Sequence, residues 1–379
     1  MTTNAPTSTI PPIEKCSDFR RTVAPNVHRP FPKHPRPAMN DRPSDVAHPS
    51  ETTGETPGET PTDRPVVFLT RRLPNSVMRR LENETELTTH TGEHDVTPEQ
   101  LRHHAGRSDA LITLLTDRID AETIRSAPRL KIVANYAVGY NNIDVDAAKQ
   151  HGVAVTNTPG VLTEATADLA WALILATTRR VIEGDRLVRQ GRWTGWQPEQ
   201  LLGLELRGAT LGIVGLGRIG RATAARAAGF GMKVVAYNRS PIDDEAKQMG
   251  IEMMSIDEVC RVADVVSLHT AYTDATHHVI DARRIGLIGD GYIINTARGA
   301  CIDEAALVDA LRKGRLRGAG LDVYENEPDL HPELAECTNA VMLPHLGSAT
   351  ESTRHHMGMM VVDNVLAACR GDVPPSRVW

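Results

Sequence analysis

Residues 210–220 have the sequence TLGIVGLGRIG, and this stretch decides the fold. An apolar run typical of a buried strand leads into three glycines, at positions 215, 217 and 220, with the spacing of a phosphate-binding loop. The first glycine permits a tight turn, the second lets a pyrophosphate approach the backbone, and the third lets the next helix pack on the strand. We therefore predict a dinucleotide site at this loop. Its predicted contacts are Gly215, Leu216, Gly217, Arg218, Ile219 and Gly220.

Short apolar runs alternate with segments of helical spacing on both sides of this loop, from Val66 to a closing helix that ends near Cys369. Such alternation predicts an α/β fold with parallel sheets. We expect two Rossmann-like parallel-sheet domains, with the dinucleotide-binding domain (163–344) inserted into a substrate-binding domain (64–162 and 345–379). The run LTEATADLAWALILATTRRVIEG, from Leu162, predicts one long helix of about six turns between them.

Residues 1–63 differ sharply from the rest, because they hold twelve of the 24 prolines and almost no apolar periodicity. This composition favours a disordered N-terminal tail. Two other interpretations stay open: a start codon placed too early, with Met39 available, or a tail with a targeting or binding role.

Charge and apolar patterning limit the function classes. The formal charge of -6 is spread along the chain, which does not suggest nucleic-acid binding. No apolar run is long enough to cross a membrane or to form a signal-peptide core, so we expect a cytoplasmic protein. The five cysteines lack CxxC spacing, and we predict neither disulfides nor a metal site.

The strand after the glycine loop ends in Asn238, Arg239 and Ser240, where an NAD-specific site usually has an acid for the ribose 2′-hydroxyl. An arginine suits a 2′-phosphate, because it offers paired charge-assisted donors. NADP(H) is therefore favoured over NAD(H). The alternative is that Arg239 only stacks on the adenine and both cofactors bind.

Three ionisable residues follow later predicted strands: Arg298, Glu327 and His345. Strand carboxyl ends hold ligands in open α/β sheets, so we expect these side chains to share a site. Histidine suits proton donation near neutral pH, a carboxylate orients its ring, and arginine grips a carboxylate while polarising a carbonyl. The set predicts reduction of a 2-oxo acid, with His345 as proton donor.

Several motifs make the chain, over about residues 65–379, resemble the D-isomer-specific 2-hydroxyacid dehydrogenase family, and most of all its glyoxylate/hydroxypyruvate reductase branch. The matching segments are NYAVGYNNID, NTPGVLTEATADLAW, LLGLELRGATLGIVGLGRIG, INTARGACIDEAALVDAL, AGLDVYENEP and LPHLGSAT. The resemblance implies that Arg298, Glu327 and His345 are catalytic and that the Val138 and Gly139 amides receive the substrate carboxylate. It also implies further cofactor contacts at Thr163, His269, Thr270, Thr296, Ala297, Arg298 and Asp322.

Two segments bear on the position within the family. GRWTGWQPEQLLGLEL is similar to the glyoxylate-reductase form, in which a tryptophan reaches the neighbouring subunit's site, so Trp196 is a substrate-contact candidate in a homodimer. The alternative is that Trp193 and Trp196 only anchor the dimer interface. After VVSLH, Thr270–Thr273 replaces the family's Pro-Leu-Thr, which predicts a looser or reshaped loop because a fixed φ is lost.

The leading functional hypothesis is NAD(P)H-dependent reduction of glyoxylate or hydroxypyruvate, with NADPH favoured. A D-3-phosphoglycerate or general D-2-hydroxyacid dehydrogenase is the second hypothesis within the enzyme class. A dinucleotide-sensing scaffold, like the corepressors of this family, is a third, and only the long N-terminal segment favours it.

Overall fold

The computed structural model describes residues 64–379, which contain twelve β-strands. In chain order these are β1 (Val66–Leu69), β2 (Glu86–Thr89), β3 (Ala110–Thr113), β4 (Ile132–Asn135), β5 (Ala154–Thr156), β6 (Thr210–Val214), β7 (Lys233–Tyr237), β8 (Glu252–Met253), β9 (Val265–Leu268), β10 (Tyr292–Asn295), β11 (Gly318–Leu321) and β12 (Ala340–Met342). Residues 1–63, for which we predict a disordered tail, lie outside the described residues.

Twelve α-helices connect or cover these strands in the described part of the chain. They are α1 (Asn75–Glu84), α2 (Pro98–Ala105), α3 (Ala121–Arg125), α4 (Val145–Gln150), α5 (Thr163–Thr178), α6 (Val181–Arg189), α7 (Arg218–Ala227), α8 (Asp244–Gln248), α9 (Ile256–Val262), α10 (Ala282–Ile288), α11 (Glu304–Arg312) and α12 (Glu351–Arg370). None of the helices in residues 64–379 is long and apolar enough to cross a membrane.

The first sheet has five parallel strands in the order β2-β1-β3-β4-β5. One face packs against α1 and α12 through a core that includes Val77 and Val361, so the last helix covers the sheet that the first strands form. The C-terminal segment returns to the same sheet, where the Val378 amide donates to the Val155 carbonyl at 2.8 Å.

The second sheet has seven parallel strands in the order β12-β11-β10-β9-β6-β7-β8. The order reverses direction at β6, so this strand ends at the topological switch point, where open parallel sheets bind their ligands. Strands β6, β9 and β10 are buried on both faces, which explains why their sequences are nearly continuous apolar runs. The prediction of two Rossmann-like parallel sheets is confirmed.

The predicted single helix from Leu162 is wrong, because the structure divides it into α5 and α6. Arg180 has a left-handed backbone, with φ of 53°. The Thr178 carbonyl accepts a hydrogen bond from the Leu204 amide at 2.9 Å, so it is engaged by a distant segment instead of continuing the helical ladder. A tertiary contact therefore ends a helix that the local apolar spacing would extend.

Two edge strands, β2 and β8, have no counterpart among the predicted strands. Strand β2 has the sequence ELTT with alternating exposure, and β8 has only two residues, both exposed. Short polar edges lack the apolar runs by which the other strands are identified.

Candidate active site

A cleft of about 610 Å³ lies where the carboxyl ends of the strands meet the segments after β4 and β5. Most of the predicted site residues line it. They are Val138, Gly139, Thr163, Gly215, Gly217, Arg218, Ile219, Asn238, Arg239, Ser240, His269, Thr270, Thr296, Ala297, Arg298, Asp322 and His345.

Four predicted site residues do not line this cleft: Leu216, Gly220, Glu327 and Trp196. Leu216 is buried in the core beneath the glycine loop. Glu327 is bonded to His345, which does line the cleft. Trp196 is 82% exposed, so within this one chain it contacts no substrate position.

The glycine loop has the geometry that its sequence predicts. Gly215 has φ of 100°, and an added Cβ there would lie 2.8 Å from the Thr270 amide nitrogen. A Cβ at Gly220 would collide with the Gly215 carbonyl oxygen, whereas one at Gly217 would meet no atom within 4 Å. Gly217 is also the N-cap of α7, so the first amides of this helix have no intrahelical acceptor. The loop therefore leaves room for an anion at a helix N-terminus.

The His345 ring is held by a carboxylate, as its Nδ1 lies 2.8 Å from Glu327 Oε2. The other Glu327 oxygen accepts the Tyr324 amide at 2.9 Å. Burial opposes ionisation of Glu327, but the hydrogen bonds and charges around it, chiefly from His345, hold its pKa below the ordinary value. An ionised carboxylate can only accept, so Nδ1 carries the proton and Nε2 is the nitrogen available to the cleft.

The backbone around His345 is fixed by Asp322 at the end of β11. The two Asp322 carboxylate oxygens accept the Leu346 amide at 2.6 Å and the Gly347 amide at 2.8 Å. The Asp322 carbonyl accepts the His345 amide at 3.0 Å. His345 has φ of 54°, a left-handed conformation that costs a non-glycine residue about 1–3 kcal/mol. These three bonds hold the strained residue in place, while burial raises the pKa of Asp322.

Arg298 follows β10 and lies beside the turn after β4. Its Nη1 donates to the neighbouring Ala297 carbonyl at 2.7 Å, and its Nε lies 3.4 Å from Asn141 Oδ1. A Cβ added at Gly139 would collide with the guanidinium, so only glycine at 139 admits it in this position. Burial lowers the pKa of Arg298. A bound anion would offset this loss of hydration.

The turn that contains Val138 and Gly139 presents its carbonyls inward, where Asn157 and Asn135 donate to them at 2.8 Å. Within residues 64–379, the two amides of this turn donate to no protein acceptor. Both residues line the cleft together with Arg298. Free amides beside a guanidinium form a site suited to a carboxylate.

Comparison with known proteins gives the same family from independent directions. Residues 171–347 match the model for the D-isomer specific 2-hydroxyacid dehydrogenase, NAD binding domain. A glyoxylate reductase of Thermococcus onnurineus is 46% identical over 320 residues, which are 83% of this chain and 96% of that protein. The chain belongs to the D-isomer specific 2-hydroxyacid dehydrogenase family.

Solved structures agree with this assignment. A protein from Thermus thermophilus is similar with a TM-score of 0.77 at 46% identity, over 83% of this chain and 99% of that one. The NADPH-dependent glyoxylate/hydroxypyruvate reductase of Sinorhizobium meliloti, solved with NADP and malonate, has a TM-score of 0.74 at 34% identity, over 83% and 97% of the two chains. This 2-hydroxyacid dehydrogenase is accordingly an NAD(P)-dependent oxidoreductase.

The cleft of this dehydrogenase has unsatisfied polar atoms where a dinucleotide would fit. Two buried atoms, His269 Nδ1 and Thr296 Oγ1, have no protein partner. The His269 Nε2 is bonded to Ser267 Oγ at 2.9 Å, and burial lowers the pKa of His269 to about 3, so the ring is neutral. Because orphaned buried polar atoms are rare, both are expected to meet a ligand. With the open cradle at Gly217, they fit a bound dinucleotide.

The charged side chains that line the cleft favour anionic ligands. Among the described residues that line it, the acidic side chain is Asp322 alone, and both of its oxygens are occupied by backbone amides. Four arginines line the same cleft: Arg218, Arg239, Arg298 and Arg354. This charge distribution suits a pyrophosphate together with a small carboxylate.

The end of β7 has no carboxylate at the position where an NAD-specific site would need one. Asn238 instead bonds to the glycine loop and to its own turn. Its Oδ1 accepts the Leu216 amide at 3.0 Å, and its Nδ2 donates to the Ser240 carbonyl at 2.8 Å. Arg239 is exposed, and its Nη1 lies 3.4 Å from Thr273 Oγ1.

Hydroxyl groups hold the loop in which the family's proline is missing. The Thr276 hydroxyl donates to the Ala271 carbonyl at 2.8 Å and accepts the Thr273 amide at 2.7 Å. These bonds supply a local restraint that proline would otherwise provide. The loop contains a short 3-10 turn over Asp274–Thr276.

Three polar residues that line the cleft were not predicted from the sequence. Asn141 contacts Arg298, Asn157 holds the amide turn, and Arg354 lines the cleft. Asn141 and Asn157 lie inside quoted motifs, which is the signal that could have found them. Arg354 is in the first turn of α12, and the capping Thr350 that sets that turn is visible in the sequence.

Proposed function

We propose that this 2-hydroxyacid dehydrogenase reduces a small 2-oxo acid, glyoxylate or hydroxypyruvate, to the corresponding 2-hydroxy acid, with His345 as the proton donor. The observation that carries the proposal is the 2.8 Å bond between His345 Nδ1 and Glu327, on a histidine whose other face lines the cleft. The catalytic and binding roles of the site residues are part of this proposal. So is the division into a substrate-binding domain (64–162 and 345–379) and a dinucleotide-binding domain (163–344).

The substrate carboxylate would be bound by the free amides of Val138 and Gly139 and by the Arg298 guanidinium. The same guanidinium would polarise the carbonyl as negative charge develops on its oxygen. Among the described residues that line the cleft, no side-chain carboxylate is free to compete with the substrate for Arg298.

His345 would donate its Nε2 proton to the carbonyl oxygen. When bound, the reduced nicotinamide supplies a hydride to the carbonyl carbon. The Glu327 carboxylate keeps the ring oriented through its bond to Nδ1. Asp322 keeps the His345 backbone in position throughout.

The choice of substrate rests on the relatives. The Thermococcus onnurineus protein is named a glyoxylate reductase, and the Sinorhizobium meliloti protein a glyoxylate/hydroxypyruvate reductase. The alternatives of a D-3-phosphoglycerate dehydrogenase or a dinucleotide-sensing scaffold have no such support among these relatives.

NADPH is proposed as the preferred cofactor, with NADH as the alternative. Arg239 at the end of β7 is exposed and faces the cleft, so it is available for a 2′-phosphate. The Sinorhizobium meliloti relative was solved with NADP.

A homodimer is proposed from the segment that follows α5. No residue of helix α6 is fully buried, although Ile182 packs against the core of the second sheet. The exposed apolar side chains of this segment are Val181, Val188, Trp193, Trp196 and Leu202. A second copy would cover them, and Trp196 would then reach the partner's cleft or anchor the interface.

Steady-state kinetics with a panel of 2-oxo acids test the proposal. We expect the highest kcat/KM for glyoxylate or hydroxypyruvate and a higher kcat/KM with NADPH than with NADH. Turnover only of bulky or phosphorylated 2-oxo acids would contradict the substrate assignment, and a preference for NADH would contradict the cofactor assignment alone.

A further inference from the structure

Two adjacent histidines and a glutamate form a cluster outside the catalytic cleft. His277 and His278 follow the 3-10 turn Asp274–Thr276, and Glu325 lies in the turn after β11. One potential ligand atom from each of the three residues lies within 4.8 Å of the others. The cluster joins segments 47 residues apart, so no local spacing in the sequence reveals it.

The contacts of the cluster bring imidazole nitrogens and a carboxylate oxygen close together. His278 Nε2 lies 2.7 Å from Glu325 Oε1. The two imidazole rings stack with their centroids 3.9 Å apart. His277 Nδ1 lies 3.5 Å from the Tyr272 hydroxyl, which leaves His277 Nε2 as its free ring nitrogen. Both histidines and the glutamate retain access to solvent, so an ion can enter.

The backbone holds both sides of the cluster in place. His278 has φ of 46°, and its amide donates to the Ala300 carbonyl at 2.9 Å, so a strained residue is retained here. On the other side, buried Glu304 accepts the Glu325 amide at 2.9 Å. The backbone that carries the cluster is therefore anchored on both sides, while the side chains rearrange when an ion replaces the bond between His278 and Glu325.

We propose that His277, His278 and Glu325 bind a divalent transition-metal ion of the Zn²⁺ type. Two neutral imidazoles and one carboxylate are typical ligands for Zn²⁺ and poor ones for Mg²⁺ or Ca²⁺, which prefer oxygen alone. Three protein ligands leave a coordination position for water. The ion replaces the direct bond between His278 and Glu325 with two metal bonds.

Such an ion would link the loop that borders the cofactor end of the cleft to the turn that bears Glu327. Thr273 and Thr276, just before the histidines, line the cleft. Glu325 is two residues from Glu327, yet the two carboxylates face different histidines. The site is therefore separate from the proton donor, and its occupancy is measurable without an activity assay.

Titration of EDTA-treated, dialysed full-length protein with ZnCl₂ by calorimetry tests the site. We expect saturable binding of Zn²⁺ to the wild-type chain, weakened by about tenfold or more in His277→Gln and separately in Glu325→Gln. His356→Gln is the matched control, because it removes an exposed histidine that also neighbours another histidine. This control is expected to bind Zn²⁺ as the wild type does.

A second readout uses thermal unfolding with and without Zn²⁺, and Co²⁺ absorption as a spectroscopic probe. Zn²⁺ should raise the Tm of the wild type and of His356→Gln more than that of His277→Gln. Co²⁺ should give the visible bands of a nitrogen–oxygen site in the first two proteins only. Equal Zn²⁺ affinities in wild type and both cluster variants would overturn the proposal, as would the absence of saturable binding to the wild type.

Discussion

The two ends of the cleft are built differently. At the reaction end, His345, Glu327 and Asp322 form a connected set of bonds between 2.6 and 3.0 Å. At the other end, where β7 finishes, Arg239 is exposed and makes one side-chain contact of 3.4 Å, to Thr273.

This contrast separates chemistry from selectivity. Proton transfer requires a donor held within a few tenths of an ångström, so the reaction end is over-determined by its bonds. The proposed preference for NADPH rests on one exposed arginine, whose interaction with a phosphate is screened by water. Substitutions at the reaction end should therefore change rates by orders of magnitude, and those at the β7 end by small factors.

Replacement of His345 by alanine should have the largest effect. We expect kcat to fall by about 10²–10⁴-fold, because the positioned proton donor is lost. Cofactor binding, followed by NADPH fluorescence, should change little. His356→Ala, an exposed histidine on α12, is the control and should retain full kcat. A loss of less than about tenfold would place the donor elsewhere.

Addition of one methyl group at Gly139 tests the position of Arg298. The Cβ of Gly139→Ala would collide with the guanidinium and displace it, so we expect kcat/KM to fall by about 100-fold. The control is Gly286→Ala in α10, where an added Cβ meets no atom within 4 Å. If both variants keep the wild-type kcat/KM, the observed position of Arg298 is not required for catalysis.

The reaction end was also the more predictable from sequence. Arg298, Glu327 and His345 each follow a buried apolar strand, and parallel strands bring such residues to one edge. The glycine loop was also predictable, because Gly215 and Gly220 stand at positions where a side chain would collide with the backbone. Local sequence and the rules of parallel sheets suffice for these features.

Other features depend on contacts between distant segments. The break between α5 and α6 requires Leu204 to bond with Thr178, and no local pattern shows that contact. The approach of Asn141 to Arg298 spans 157 residues. The polar edge strand β2 is paired by β1 and has no apolar run of its own. Tertiary contacts decide each of these features, so the sequence alone did not reveal them.

Replacement of Glu327 by glutamine tests the reaction end through the pH dependence of the rate. Burial opposes ionisation of Glu327, but its hydrogen bond and charge interaction with His345 hold its pKa below the ordinary value, and glutamine removes this negative charge from beside the ring. The decline of kcat/KM for reduction with rising pH should therefore begin at lower pH in the variant.

The control for this pH profile is Glu336→Gln, which removes an exposed acid outside the cleft and should leave the profile in place. The Glu327→Gln variant should also differ in stability. A carboxylate with a lowered folded pKa stabilises the protein above its unfolded pKa, and this contribution is lost as pH falls through the folded value. The difference in free energy of unfolding between the wild type and Glu327→Gln should therefore become smaller as the pH falls into the acidic range. An unmoved pH–rate profile would remove Glu327 from its assigned role.

Replacement of Arg239 by alanine should have the smallest effect. An exposed charge contact is worth about 1 kcal/mol, which corresponds to about a fivefold decrease in the ratio of kcat/KM with NADPH to kcat/KM with NADH. The kcat at saturating cofactor should stay near the wild-type value, since the reaction end is untouched. Arg79→Ala, an exposed arginine on α1, should leave the ratio unchanged. A fall in kcat/KM with both cofactors as large as that of Gly139→Ala would mean that the β7 end controls the chemistry, and the separation between the two ends would not hold.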